Sequence, residues 1–278
     1  MKYQGNNYTT ANLGKNFTFG VMWHVCPARD LDVTNKNDVI LAVENAYRDM
    51  MPRTINGIGL AKLDKIPART VKNVYKDALR SVKTDLLDEL RMNLAENIID
   101  KVFSADGARG SFNDGIHQKL CDDFVCDFKA KMRSLNKEIE EFNNKYSADV
   151  AAVDESKITY GKAQKIVNMT MKQLYCFDNA PTYKNSVFQH CHIPIDSIIL
   201  EFFKISVTGG WSGLKDYKSY EKIQDECRKE WAKKTLEAKF SANDDFTKLF
   251  FAEFIIWDAG TERKGKKKLN IDSIEIFP

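Results

Sequence analysis

The chain has 278 residues, enough for one large domain or two small ones, and its 17 Phe, 10 Tyr and 4 Trp supply the apolar surface that excludes long disorder. Only 14 Gly and 6 Pro are available for turns, too few for a sandwich or barrel of many short strands, so a mainly α architecture is expected. A net charge of +3 permits contact with nucleic acid without marking the chain as a dedicated phosphate binder.

The N-terminal segment carries no apolar stretch of secretory length, and no run of about 18 apolar residues occurs elsewhere, so no membrane association is expected. Six cysteines are scattered through a large chain rather than crowded into a small one, as in a cytoplasmic protein with reduced thiols. Residues 1–36 are polar and without period, apart from an apolar patch at 17–23. A helix begins near Asn37, where Val39, Ile40, Val43, Ala46, Tyr47 and Met50 form one stripe, and Pro52 ends it. The Gly- and Pro-containing stretch 53–67 divides the chain into an N-terminal subdomain or extension, 1–60, and a helical region, 61–278.

Apolar spacing predicts a helix over 68–103, either continuous or broken near Thr84, and a second long one over 115–145 with a Lys, Asp and Glu outer face. Further helices are expected at 161–177, from Ser197 onward, at 217–238 and at 245–258. The last of these would be capped by Asn243, Asp244 or Asp245 and stopped by Gly260. An alternating Leu269–Ile276 segment after a basic tail at 263–268 reads as a small terminal β element.

Chemistry concentrates between Tyr160 and Leu200. Gly161 and Lys162 open an amphipathic helix that carries a second lysine, Lys165, one turn later, and Ile193-Pro194-Ile195 delivers Asp196 to the start of another. A lysine at a helix start meets the positive end of the peptide dipoles, which favours the neutral amine that a lysine nucleophile needs. An aspartate there is held ionised by free backbone N–H groups, and a plain N-cap would look the same.

This Gly-Lys opening followed by an Ile-Pro-Ile-Asp opening resembles the catalytic core of the helix-hairpin-helix DNA glycosylases, in particular the 8-oxoguanine type, over about 40 residues. The resemblance implies a two-lobed helical fold and cleavage of the N-glycosidic bond of a modified purine through a lysine Schiff base, with or without lyase activity. It implies Lys162 as nucleophile with Asp196 as its partner, and Lys165 as the alternate. The target base would leave its stack to react, against Trp211 on its glycine-rich turn, Phe203, His192 and Gly161. No cofactor is implied, the partner would be a nucleic acid or modified nucleobase, and likeness to accessory members of bacterial antiviral gene clusters implies a role in defence. The family's glycine- and proline-rich hairpin is replaced here by Ser156-Lys157-Ile158-Thr159-Tyr160-Gly161, with one glycine and no proline.

Two alternatives stay open. Cys176 with His190-Cys191-His192, or Cys121 with Cys126, offers metal-ligating side chains, but without the paired spacing of structural zinc, so no metal is expected. The long amphipathic helices and basic tail also suit a non-catalytic module that binds nucleic acid or a protein. Walker, dinucleotide, nucleophile-elbow and zincin motifs are missing.

Overall fold

A computed structural model describes residues 2–3, 6–7, 30–50, 60–63, 73–104, 109–241 and 244–262. The fold is mainly helical. After a two-residue antiparallel pair, β1 (Lys2–Tyr3) and β2 (Asn6–Asn7), come α1 (Lys36–Met50), a single turn α2 (Leu60–Leu63), α3 (Asn73–Ile98), α4 (Asp114–Tyr146), α5 (Tyr160–Leu174), α6 (Ser197–Phe202), α7 (Tyr217–Glu237) and α8 (Leu249–Glu262). No helix of the described residues is long and apolar enough to cross a membrane. The basic tail and the alternating segment after it lie outside the described residues, as do the apolar patch at 17–23 and most of the connection at 53–67.

The helices are arranged around α5. It packs against α1, α4, α7 and the short turn Trp211–Gly213, while α3 lies on α1 and α4. One buried cluster runs from Leu31 through Ile256, so residues 31–47 of the N-terminal segment belong to the same core as the helices beyond residue 60. The connection is also polar: Leu31 and Val33 donate backbone N–H groups to the side chains of Asp178 (2.7 Å) and Asn179 (3.0 Å).

α3 is the continuous alternative, running unbroken through Thr84, whose hydroxyl donates back to the Arg80 carbonyl at 3.0 Å, and Leu79, Leu87, Leu90 and Leu94 keep one buried stripe across that point. The last helix starts later than expected. Asp244 instead caps a short turn, Asp245–Thr247, by accepting from the Phe246 N–H at 2.8 Å. Phe246 is buried, and its carbonyl accepts from Trp231 Nε1 at 2.8 Å, which holds that turn closed ahead of α8. Gly260 is a helical residue and not a stop, a propensity cost of about 1 kcal/mol that a helix can carry.

α4 is capped by Asn113, which accepts from the Ile116 N–H at 2.9 Å, and ends at Ser147 in the left-handed region (φ 50°). The chain then doubles back along it. Asn143 bonds both the N–H and the carbonyl of Val150 (2.9 Å each), and Asn136 does the same to Val153 (2.7 and 2.9 Å). Seven residues apart, the two amides share one face of α4 and act as two rungs of a ladder for the returning strap. This strap leads into Thr159 and so sets where α5 begins.

Asn136→Ala and Asn143→Ala are each expected to destabilise the protein by about 1–3 kcal/mol, because each orphans two backbone groups. Exposed Asn144→Ala should change stability by no more than about 0.5 kcal/mol. Urea denaturation of the three variants measures the difference.

Candidate functional site

The first turn of α5 is bolted to the tryptophan turn. Thr159 is its N-cap, accepting weakly from the Lys162 N–H (3.4 Å) and donating its own hydroxyl to the Ser212 carbonyl at 2.6 Å. The Gly161 N–H donates to the Leu214 carbonyl at 2.9 Å. A Cβ on Gly161 would lie 2.0 Å from the Trp211 carbonyl oxygen, so only glycine allows this approach. Gly209 and Gly210, at φ 80° and 71°, let the chain turn beneath Trp211.

Asp196 is placed by the other side of the same helix. Gln164 of α5 donates to the Ile195 carbonyl (2.8 Å) and accepts from the Ile195 N–H (3.1 Å), while Asn168 donates to the Ile193 carbonyl (3.0 Å). Ile193 and Ile195 are fully buried. One residue on, Asp196 caps α6: its Oδ1 accepts from the N–H groups of Ile198 (2.9 Å) and Ile199 (3.0 Å). Its Oδ2 takes Lys165 Nζ at 2.5 Å, in a pair whose side chains are only 10% and 15% exposed. Lys165 Nζ also stands 5.7 Å from the centre of the Trp211 ring.

The lysine that meets Asp196 is therefore Lys165, and the pairing expected for Lys162 does not form. Lys162 instead directs its Nζ to the Lys157 carbonyl, 2.5 Å away, across the start of the helix. Half-burial, together with the neighbouring Lys157 ammonium, pushes its pKa down. The reason lies in helical register. Gln164 and Asn168 turn their face of α5 toward 193–196, and at 100° per residue Lys165 sits near that face whereas Lys162 does not.

The other residues singled out in the sequence are dispersed. Trp211 is half-buried beside Lys165. Phe203 is a buried core residue, edge-on to Phe202 at 4.7 Å, which removes it as a stacking wall for a base. His192 is buried and bonds Tyr220 and Asp114 rather than the lysine–aspartate pair. The Cys176 and Cys191 thiols donate to carbonyls within their own turns, those of Lys172 and Val187, and no group of three potential metal ligands occurs among the described residues.

Two features escaped sequence reasoning. The first is a second buried ion pair, Lys172 of α5 with Glu253 of α8, whose side chains are 1% and 3% exposed. Burial pushes the lysine pKa down and the glutamate pKa up, and each also feels the charges of Lys165 and Asp196. The Lys172 ammonium lies 4.8 Å from the Phe254 ring centre and 5.5 Å from that of Trp257. The available signal was Glu253 itself, a lone acid in the apolar run 249–257.

The second is a buried polar network at the start of α4. Tyr220 oxygen accepts from Asn168 (2.9 Å) and Gln224 (2.7 Å), so its hydroxyl proton goes to His192 Nδ1 (3.0 Å), and His192 Nε2–H donates to Asp114 Oδ1 (2.6 Å). His192 is thus the neutral, Nε2-protonated tautomer. His117 stacks on it at 4.1 Å between ring centres and bonds Asn168 at 3.0 Å. Burial lowers the pKa of both histidines, and the His192 hydrogen bond holds the Asp114 carboxyl below its usual range.

Compared with protein-family models, with curated proteins and with solved structures, the chain matches none.

Gly161→Ala is expected to cost about 2–4 kcal/mol, since backbone must move to admit the methyl group. Gly213→Ala, where nothing lies within 4 Å of the added carbon, should cost no more than about 0.5 kcal/mol. Thermal unfolding of the two variants separates them.

The neutral histidines give a pH dependence of defined sign. In the unfolded chain they take up protons as the pH falls through 6.5, while the native rings stay neutral. Stability is therefore full above that value and falls below it, by up to about 1.4 kcal/mol per pH unit for each ring. Urea titrations from neutral pH downward should show this slope, and His192→Gln should reduce it by one ring's share.

Proposed function

We propose that the protein is a glycosylase-type enzyme that cleaves the N-glycosidic bond of a modified purine, with Lys165 as nucleophile and Asp196 as its proton acceptor. The observation that carries this reading is the Lys165–Asp196 contact of 2.5 Å in a largely buried pair beside the Trp211 ring. A lysine needs a neutral amine to attack, and the carboxylate within reach can take its proton. Two backbone N–H groups of α6 and the helix start hold that carboxylate in place.

The chemistry balances as follows. The ammonium of Lys165 passes a proton to Asp196, and the freed Nζ lone pair forms a bond to the sugar C1′. The C1′–N bond to the base breaks and its electron pair leaves with the base, which recovers the proton from Asp196. The attached amine loses a further proton, the ring oxygen takes one up as the sugar opens, and a C1′=N iminium links substrate to lysine. Re-ionised Asp196 then faces the positive charge. Trp211 would supply a stacking face for a base out of its stack.

The competing reading, a non-catalytic helical module for nucleic acid or a protein, draws on one observation: Lys165 and Asp196 are not among the side chains that line the clefts of about 370, 510 and 250 Å³. In that case the ion pair simply ties α5 to α6.

Borohydride separates the two readings by reducing the iminium to a stable amine. Incubation with oligonucleotides bearing 8-oxoguanine or an abasic site is expected to yield a covalent adduct. Lys165→Gln and Lys165→Arg should abolish it, the arginine keeping the charge pair without an amine nucleophile. Lys162→Gln should leave it intact. An adduct that survives Lys165→Arg overturns Lys165 as the nucleophile, and none with any substrate ends the enzymatic reading.

A further inference from the structure

A cleft of about 370 Å³ opens where the start of α4, residues 189–193, α7 and the start of α8 meet. Phe112, Leu249 and Phe250 line it with apolar surface, and Asp114, Arg228 and Lys248 line it with charge. Leu249, only half-buried, offers the most accessible of that apolar surface. The size is that of a site for a small organic molecule held by a few placed polar groups.

Asp114 and Arg228 stand side by side in this cleft, with side chains 53% and 37% exposed, so both charges are open to a ligand. Arg228 Nη2 donates to Asp114 Oδ1 at 3.3 Å and its Nη1 donates to Asp225 at 3.1 Å, which uses two of the five guanidinium N–H groups. Asp114 Oδ1 also accepts from His192 Nε2 at 2.6 Å, while its Oδ2 takes no bond among the described residues. The buried His192, itself held by Tyr220, thus fixes the carboxylate in one orientation from behind and keeps it ionised. An exposed ion pair contributes little to stability by itself and gains little from such backing. A carboxylate that must meet a ligand at a set angle does gain from it.

The balance of charge defines the ligand. Asp114 and Asp225 stand against Arg228 and Lys248, so the neighbourhood carries no net charge. A plain anion would meet Asp114 beside the guanidinium, and a plain cation would meet Arg228 beside the carboxylate. A molecule with an ammonium and a carboxylate on one carbon meets both at once, because its two charges are as close together as the two that receive them. The ammonium takes the open Oδ2 and the carboxylate takes unused N–H groups of Arg228, each bond charge-assisted. The group borne on the same carbon is then left to the apolar lining.

We propose that this cleft binds a free α-amino acid with a large apolar side chain, its ammonium on Asp114 Oδ2, its carboxylate on Arg228 and its side chain along Leu249 and Phe112. The site uses neither Lys165 nor Asp196 and stands whether or not the glycosylase reading does.

Calorimetric titration of the intact chain with L-phenylalanine and L-leucine at millimolar concentration tests this. Both are expected to bind. 3-Phenylpropionate, which lacks the ammonium, and phenethylamine, which lacks the carboxylate, should each bind at least about tenfold more weakly than phenylalanine. Glycine, with no side chain for the apolar lining, should be weaker by a similar factor. Asp114→Asn and Arg228→Gln should each weaken phenylalanine at least about tenfold, while Lys165→Arg should bind it as the parent does. No binding of either amino acid, or equal binding of phenylalanine with 3-phenylpropionate or phenethylamine, overturns the proposal, and these ligand comparisons need no variant that might fail to fold.

Discussion

The structure depends on burying a polar helix on every side. α5 presents Gln164, Lys165, Asn168, Thr170, Lys172 and Gln173 to its neighbours with almost no exposure. Each is a debt of desolvation unless a partner meets it. Gln164 and Asn168 discharge theirs on the backbone of Ile193 and Ile195, a segment that Pro194 keeps extended and that has no other ladder to join. That requirement determines which residue follows at the cap of α6, and hence which lysine meets it.

The same helix joins the two polar centres. The Asn168 amide nitrogen has three acceptors within reach for its two protons, Gln164 Oε1, the Tyr220 oxygen and the Ile193 carbonyl, and its Oδ1 meets His117 Nε2. From Gln164, one residue before the lysine, a continuous hydrogen-bonded path runs through Asn168, Tyr220 and His192 to Asp114. A buried network of this kind fixes its members, and it makes the loss of any one felt by its neighbours.

The helices were legible because they are amphipathic and locally capped. The stripe from Leu120 to Phe142 and the cap at Asp196 are short-range signals, and they place element ends to within a few residues. The choice between Lys162 and Lys165 was not legible. It turns on hydrogen bonds from Gln164 and Asn168 to backbone about thirty residues away, and both lysines satisfy the same local pattern. Phe203 misled for a related reason: an aromatic just beyond a polar cap reads equally as pocket or core, and only packing on Phe202 decides it. His192 and Asp114, 78 residues apart, carried no local sign of each other.

Lys172 and Glu253 extend the argument to charge. An isolated buried ion pair is a poor source of stability, since well-packed apolar residues of similar volume often do as well or better. Here the pair does not stand alone. Two turns of α5 hold Lys165 and Lys172, and α6 and α8 answer with Asp196 and Glu253, so four charges sum to zero within one region of mutual influence. The Phe254 and Trp257 rings near the deeper ammonium, and the Trp211 ring near the shallower one, add attraction that costs no further charge. Neutralising one member leaves three charges that no longer balance, so the buried Lys172–Glu253 pair and the shallower Lys165–Asp196 pair are felt by one another.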